Sequence, residues 1–394
     1  MKPGWKIESL GELCDFQRGL TYAKSDEADV SNNIVLRATN IDLTTNLLDF
    51  AELKYINDKV VVPASKKVKK DSLMICTASG SKSHLGKVAY IDDDYGYAFG
   101  GFMGMITPKN GLVPKYLFHL MTSDAYKDFI GELSDGANIN NLKFDDLKKF
   151  QVPHPKPDEQ QRIVGILDEA FEGIATAKAN AEKNLQNARA LFESYLQFVF
   201  TQGGKGWEEK TLGDVCETTQ GVQIPKNLHS KSPGKNLRRY LYISDFEHDE
   251  NLKYVEDIYP TKRVTENDLI VVNTGATAGK IFRGIDGVLS NNLFKVTLNP
   301  GVDGDFLYYF VTSSLFKEHQ KKIVKGTANP HMGHENFKST PVNIPPLDVQ
   351  LDTVAKLDGL SEETKRLTSI YDRKLAALGT LKKSMLHQAF SGKL

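Results

Sequence analysis

PDEQQRIVGILDEAFEGIATAKANAEKNLQNARALFESYLQFVFT, residues 157–201, decides how this chain is built. After Gly173 it holds neither glycine nor proline, and it is rich in Ala, Leu, Glu, Lys and Gln, which lose little freedom on entering a helix. Apolar residues recur at Ile163, Leu167, Ala170, Ile174, Ala177, Ala181, Ala188, Leu191, Tyr195 and Phe198, three and four apart, with Asn184 breaking the series. That is the spacing of a coiled-coil seam. Such a helix spans roughly 60 Å, more than a small domain is wide, and needs a partner helix.

The partner lies in the same chain. Residues 346–391 carry two interleaved seven-residue series, Leu357, Thr364, Tyr371, Leu378, Met385 and Leu360, Leu367, Lys374, Leu381, Gln388. One offset aligns this stretch with the first: Pro155 with Pro345, Asp158 with Asp348, Gln160 with Gln350, Val164 with Val354, Leu167-Asp168 with Leu357-Asp358, Leu196 with Leu386 and Phe200 with Phe390. Two separate amphipathic helices, each on its own domain, are the plainer reading. Their length opposes it, because each far exceeds the usual three to four turns.

The rest of the chain repeats as well. WKIESLGELCDFQRGLTYAK (5–24) lies over WEEKTLGDVCETTQGVQIPK (207–226), DSLMICTASGSKSHLGK (71–87) over NDLIVVNTGATAGK (267–280), KYLFHLMTS (115–123) over DFLYYFVTS (305–313), and Gly136 over Gly326. Each copy reads as α+β. Strands are expected at 34–38, 73–77, 88–91 and 103–107, with helices at 114–121, 123–133 and 144–149; the second copy has strands at 240–243, 269–273, 280–283 and 293–298 and a helix at 306–324. Proline-rich hinges, VPHPKP (152–157) and VNIPPL (342–347), lead into the long helices. The expected organisation is two similar globular domains, 1–152 and 206–342, and two antiparallel helical spacers, 153–205 and 343–394.

Composition sets limits. The chain has 394 residues with 50 Lys plus Arg against 50 Asp plus Glu, so a surface for an anionic partner must be local. Cys14, Cys76 and Cys216 are too few and scattered for a disulfide frame or a zinc site, which fits a reducing cytoplasm. There is no signal-peptide core and no run of about 18 apolar residues. A cytoplasmic protein without a membrane span is expected.

Catalytic motifs do not assemble. Asn329-Pro330-His331 and Asn343-Ile344-Pro345-Pro346 lack the aromatic that follows two prolines in an amino-methyltransferase motif. FGGFMG (99–104) is wrongly spaced for a dinucleotide loop and reads as a turn packing Phe99 and Phe102 inward. Gly80 to Lys87 and Gly275 to Lys280 imitate phosphate loops, but Val88 and Ile281 stand where the magnesium-binding hydroxyl belongs. Asp49, Glu52 and Lys54 read as a solvated face rather than a nuclease site. His331 and His334 lack a third ligand, so no metal is expected.

What the loops offer is local positive charge beside hydrogen-bonding groups. The first copy has Lys66, Lys67, Lys69 and Lys70, then Ser79, Ser81, Lys82 and Lys87; the second has Lys231, Lys235, Arg238 and Arg239, then Thr274, Thr277, Lys280, Arg283, Asn291, Asn292 and Lys325. Phosphates call for Lys and Arg, and base edges for Arg, Asn, Gln, Ser or Thr. Any one of these is an ordinary solvated residue by default. The duplication of the pattern singles out the set as DNA-binding candidates.

W-x4-LG-x2-C, a variable globular region, then P-x-P-x-E-Q-x2-I-V-x2-L-D opening a long helix, in two copies and ending in Ser391-Gly392-Lys393-Leu394, resembles the specificity subunit of type I restriction-modification enzymes. The second copy departs at Val349, where the first has Glu159, and at Thr353, where it has Ile163. The resemblance implies that each globular copy is a target-recognition domain reading one half of a bipartite double-stranded DNA site, held at a set gap by the helix pair. Unlike loops imply unlike half-sites and an asymmetric target. It also implies a non-catalytic chain without cofactors of its own, working with two adenine-N6 methyltransferase subunits that use S-adenosylmethionine and with motor-nuclease subunits that use ATP and magnesium. The rival readings are a self-contained DNA methyltransferase or nuclease with a helical arm, and a coiled-coil scaffold that does not touch DNA.

Overall fold

A computed structural model describes residues 3–80, 84–135, 141–323 and 331–394. They form two compact units, Met1–Ala181 with Arg373–Leu394, and Glu182–Asp372. Each unit centres on a four-stranded antiparallel sheet. In the first its order is Cys14–Arg18, Met103–Pro108, Ser72–Cys76, Val88–Ile91; in the second, Cys216–Gln220, Leu293–Leu298, Leu269–Val272, Ile281–Arg283.

The sequence of the inner strand explains the layering. SLMIC at 72–76 and LIVV at 269–272 are wholly buried. Alternate residues of a strand face opposite sides, so a strand buried along its whole length needs a layer on each face. Leu73 and Ile75 face the helices together with Tyr116, Leu117, Leu120, Ile163 and Leu386, whereas Met74 and Cys76 face Leu36 and Phe99. In the second unit Leu269 and Val271 face Phe306, Phe310 and Leu357, and Ile270 and Val272 face Leu241 and Leu289. The outer layer is a small mixed sheet: Glu27–Ala28, Lys54–Ile56, Asn33–Leu36, Ala98–Phe99 in one unit and Tyr254–Glu256, Leu237–Leu241, Gly287–Leu289, Arg263–Val264 in the other. Asn33–Leu36 runs parallel to Ala98–Phe99, and Leu237–Leu241 parallel to Gly287–Leu289.

The Leu-Gly-x-x-Cys repeat is one helical turn that feeds the first strand of each sheet. Leu10 and Leu212 are fully buried, and Glu12 accepts from Ser9 N and Oγ (2.8 and 2.7 Å) as Asp214 does from Thr211 (2.7 and 2.7 Å). The proline-rich hinges begin as strands. Lys6–Ser9 pairs antiparallel with Gln151–His154, and Glu208–Thr211 with Pro341–Ile344. Pro157 then takes the first helical position, where its missing N–H is not needed. The helix expected over 306–324 is two helices, Gly304–Thr312 and Ser314–Ile323, because Ser313 Oγ turns back to Phe310 O (2.6 Å); Ser123 Oγ does the same to Leu120 O (2.6 Å) in the first unit. The Gly136–Gly326 match lies outside the described residues.

The long helices are Pro157–Gln202 and Leu347–Phe390, and each starts in one unit and ends in the other. Within each unit their segments pack antiparallel: Ile163, Leu167 and Phe171 meet Met385, Leu386 and Ala389, and Leu196 and Phe200 meet Val354 and Leu357. Two expected seam positions are wrong. Leu191 and Phe198 are exposed, and the buried stripe runs through Ala188, Phe192, Leu196 and Phe200. Both sets satisfy steps of three and four, so spacing alone does not choose between them. Lys374, Leu381 and Gln388 of the second series are also exposed, since a seven-residue repeat drifts around a straight helix of 3.6 residues per turn.

Paired side chains dock each helix onto its own unit. Fully buried Gln160 accepts from Val113 N (2.8 Å) and donates to Gly111 O and Pro155 O (2.9 and 2.8 Å). Gln350 accepts from Asp303 N (2.7 Å) and donates to Gly301 O and Pro345 O (3.0 and 2.8 Å). Two turns on, Asp168 bonds His119 Nε2 and Lys115 Nζ (2.7 and 2.8 Å), and Asp358 accepts from Tyr309 Oη (2.5 Å).

Candidate nucleic-acid interface

At the same end of the central sheet each copy builds the same turn. Leu20 N donates to Phe99 O (2.7 Å), Gly19 N to Met103 O (3.0 Å), Gly100 N to Leu36 O (2.9 Å) and Met103 N to Gly100 O (2.8 Å). Their counterparts are Val222 N to Leu289 O (2.8 Å), Gly221 N to Leu293 O (2.9 Å), Ser290 N to Leu241 O (3.0 Å) and Leu293 N to Ser290 O (3.1 Å). The strand crosses so closely that a Cβ on Gly19 would lie 1.9 Å from Gly100 O, and one on Gly221 2.0 Å from Ser290 O. This close approach is why glycine recurs there.

The turn tips are therefore equivalent, Gly100-Gly101-Phe102 in the first copy and Ser290-Asn291-Asn292 in the second. Thr77 N donates to Phe102 O and Asn273 N to Asn292 O, both at 2.9 Å. A third segment joins each tip: Leu142 N donates to Thr77 O (2.6 Å) and Met332 N to Asn273 O (2.7 Å). Asn291 and Asn292 are exposed beside Thr274, whose Oγ1 donates to Asn292 Oδ1 (3.3 Å). Thr277 is exposed on the neighbouring loop, and Ser79 is half-buried in the corresponding loop of the first copy. Phe102 is the reverse of the expectation. Phe99 is fully buried, but Phe102 is 73% exposed.

The basic candidates fall into three groups. Lys69, Lys70, Lys231 and Lys235 are exposed. Lys66 and Lys67 are half-buried, with Lys66 Nζ donating to Arg18 O (2.8 Å). The remainder are held by acids or by burial. Arg238 pairs with Asp257 and Asp286 (3.0 and 2.5 Å), Arg239 with Asp245 and Asp249 (3.0 and 2.9 Å), Lys280 with Glu247, and Arg283 with Asp305 while stacking on Tyr308. Asp245 is only 6% exposed, which makes its bond to Arg239 part of the framework; the Lys280 and Arg283 pairs are solvated and worth little. Lys87 is corrected: it is buried, its Nζ donates to Ile41 O (3.0 Å), and burial lowers its pKa. A phosphate cannot reach that nitrogen. Ser81, Lys82 and Lys325 lie outside the described residues.

Sequence reasoning passed over a cleft of about 580 Å³ in the first copy, lined by Tyr22, Arg37, Thr39, Ser79, Gly100 and Phe102. Arg37 is exposed, and its backbone N donates to Asn40 Oδ1 (2.8 Å) as Tyr242 N does to Asp245 Oδ2 (2.9 Å) in the second copy. The available signal was positional: a cation directly after a strand that recurs.

The imitation catalytic groups come apart. Lys54 bonds Glu27 (2.5 Å) rather than Asp49 or Glu52. His334 bonds Thr218 Oγ1 and Gln220 Oε1 (2.6 and 2.7 Å) and lies against Phe294, while burial lowers its pKa. Among the described residues no three His, Cys, Asp or Glu are placed to hold a metal, and no helix is long and apolar enough to cross a membrane.

One α+β framework built twice, with an equivalent turn bearing different side chains in each copy, defines a duplicated recognition module. A family model described as the type I restriction modification DNA specificity domain matches residues 2–186 and again residues 204–371. The chain belongs to that family. It is 23% identical to the type I restriction enzyme StySPI specificity subunit of Salmonella potsdam and 24% identical to the EcoKI specificity subunit of Escherichia coli K12, in each case over 99% of this chain and 89% of the other. Among solved structures, the HsdS subunit from Thermoanaerobacter tengcongensis aligns over 100% of this chain and 98% of its own with a TM-score of 0.66 at 18% identity. A chain from a study of complex assembly in the type I R-M system aligns over 100% and 99%, with a TM-score of 0.78 at 19% identity.

Proposed function

We propose that this chain is the DNA sequence-recognition subunit of a type I restriction-modification complex, each copy reading one half of an asymmetric bipartite site. The observation that carries this reading is the pair of equivalent turns, alike in backbone and unlike in side chains. Identical turns would favour a symmetric target; Gly-Gly-Phe against Ser-Asn-Asn favours two different half-sites. The exposed Lys69, Lys70, Lys231 and Lys235 serve as phosphate contacts, with Thr274, Thr277, Asn291 and Asn292 near the bases. Because both long helices run unbroken from one unit into the other, we infer that the pair sets the unread gap. One base pair more or less rotates the far half-site by about 34°.

The chain supplies neither catalysis nor a cofactor in this reading. It docks two adenine-N6 methyltransferase subunits that use S-adenosylmethionine, and motor-nuclease subunits that use ATP and magnesium. The test is to incubate duplex DNA and labelled S-adenosylmethionine with the purified chain, with the methyltransferase subunits, and with both. Sequence-dependent methylation only in the last, with affinity falling steeply as salt rises, is expected. Methylation by the chain alone, or complex formation without salt-dependent duplex binding, overturns the reading.

A further inference from the structure

We propose that Phe102 is a specificity-determining residue of the first copy, contacting a thymine methyl group in the major groove at the place where Asn292 reads a base edge in the second. This rests on the proposed DNA-recognition function and adds a residue and a base chemistry to it.

An exposed phenyl ring alone means little, because single apolar side chains on surfaces are common. Here the mounting carries the argument. The Phe102 carbonyl accepts from Thr77 N (2.9 Å), Thr77 Oγ1 (2.9 Å) and Ala78 N (3.2 Å). Gly100 and Gly101 precede it and add no side chain of their own beside the ring, which is 73% exposed. Asn292 is fixed by the corresponding bond from Asn273 N. With backbone contacts matching on four sides, side chains 102 and 292 leave their frames at the same point and enter the same groove. An asparagine there pairs with adenine N6 and N7, which the major groove presents. A phenyl ring at that point has no hydrogen bond to give, and the apolar feature of the same groove is the thymine 5-methyl. Arg37, exposed on the cleft that Phe102 also lines, stands beside it for a phosphate or a guanine.

The experiment uses the full chain assembled with its methyltransferase subunits. Selection from a randomised duplex pool first defines the bipartite site; if the wild-type complex selects none, the proposed function fails, not this inference. Each thymine of the first half-site, on both strands, is then replaced by deoxyuridine, which removes only the methyl. Wild type is expected to lose about fivefold in affinity at one position, the effect of burying one methyl-sized group. Phe102→Ala is expected to bind thymine and deoxyuridine duplexes equally, and Phe102→Asn to change the selected base at that position while the second half-site stays as it was. A first half-site without thymine, a wild type indifferent to every methyl, or a Phe102→Ala protein that still discriminates overturns the proposal. The deoxyuridine scan on wild type decides even if a variant folds poorly.

Discussion

Gln160 and Gln350 show how one side chain organises a junction. Each is completely buried and satisfies one N–H and two carbonyls where the globular copy meets its helix. Truncation strands those groups, at about 1–3 kcal/mol for a buried unsatisfied partner. Gln160→Ala and Gln350→Ala are each expected to lose about 2–4 kcal/mol in urea unfolding, with a loss below 0.5 kcal/mol contradicting the clamp. His119 makes a pH-dependent version of the same junction. Burial holds its pKa below the usual 6.5 despite the bond to Asp168, with Lys115 and Lys382 nearby adding to the depression. The unfolded chain thus binds the proton more readily, and stability falls as pH drops below about 6.5. Asp168 extends the trend at lower pH: burial opposes its charge, but the bonds from Lys115 and His119 prevail and lower its pKa. Unfolding midpoints from pH 7.5 to 5 are expected to fall less for His119→Gln than for wild type. Tyr309, at the equivalent place, does not titrate there. Cys14 and Cys216, pushed up to about 12 by burial, are expected to resist alkylation until the chain unfolds.

At the scale of elements, Leu167 and Leu357 occupy matching buried positions on the long helices. Leu167→Ala and Leu357→Ala are each expected to cost about 2–5 kcal/mol in chemical denaturation. Phe198→Ala, on a 59% exposed ring, is expected to stay within about 0.5 kcal/mol. The duplication, the α+β class, the long helices and the inner strands were legible in sequence, because Gln160 with Gln350 and Leu167-Asp168 with Leu357-Asp358 hold one offset and LMIC (73–76) and LIVV (269–272) are continuously apolar. The seam near Leu191 and Phe198 was not, since a step of three or four fits either face. Phe102 was missed for a related reason. Phe99 ends a short strand, Ala98–Phe99, that is buried on both faces, and the turn that follows it leaves Phe102 exposed. Arg238 and Arg239 read as free cations because Asp257, Asp286, Asp245 and Asp249 reach them only through the fold. Gly19→Ala, which places a methyl against Gly100 O, is expected to disturb the first half-site's preference and leave the second intact in duplex selection.

For the whole molecule, Lys69→Ala with Lys70→Ala is expected to weaken all duplexes alike and flatten the salt dependence, whereas Lys87→Ala destabilises the first unit instead. Inserting seven residues into both long helices at matched positions is expected to change the tolerated gap between half-sites; an unchanged gap removes the helices from that role. Whether two copies of one fold read two different half-sites is decided by methylome sequencing of cells that carry this chain with its methyltransferase subunits. An adenine-methylated motif of two unlike half-sites around a fixed unread gap, lost when the chain is deleted, is expected. A palindromic or uninterrupted motif, or one that persists without the chain, contradicts it.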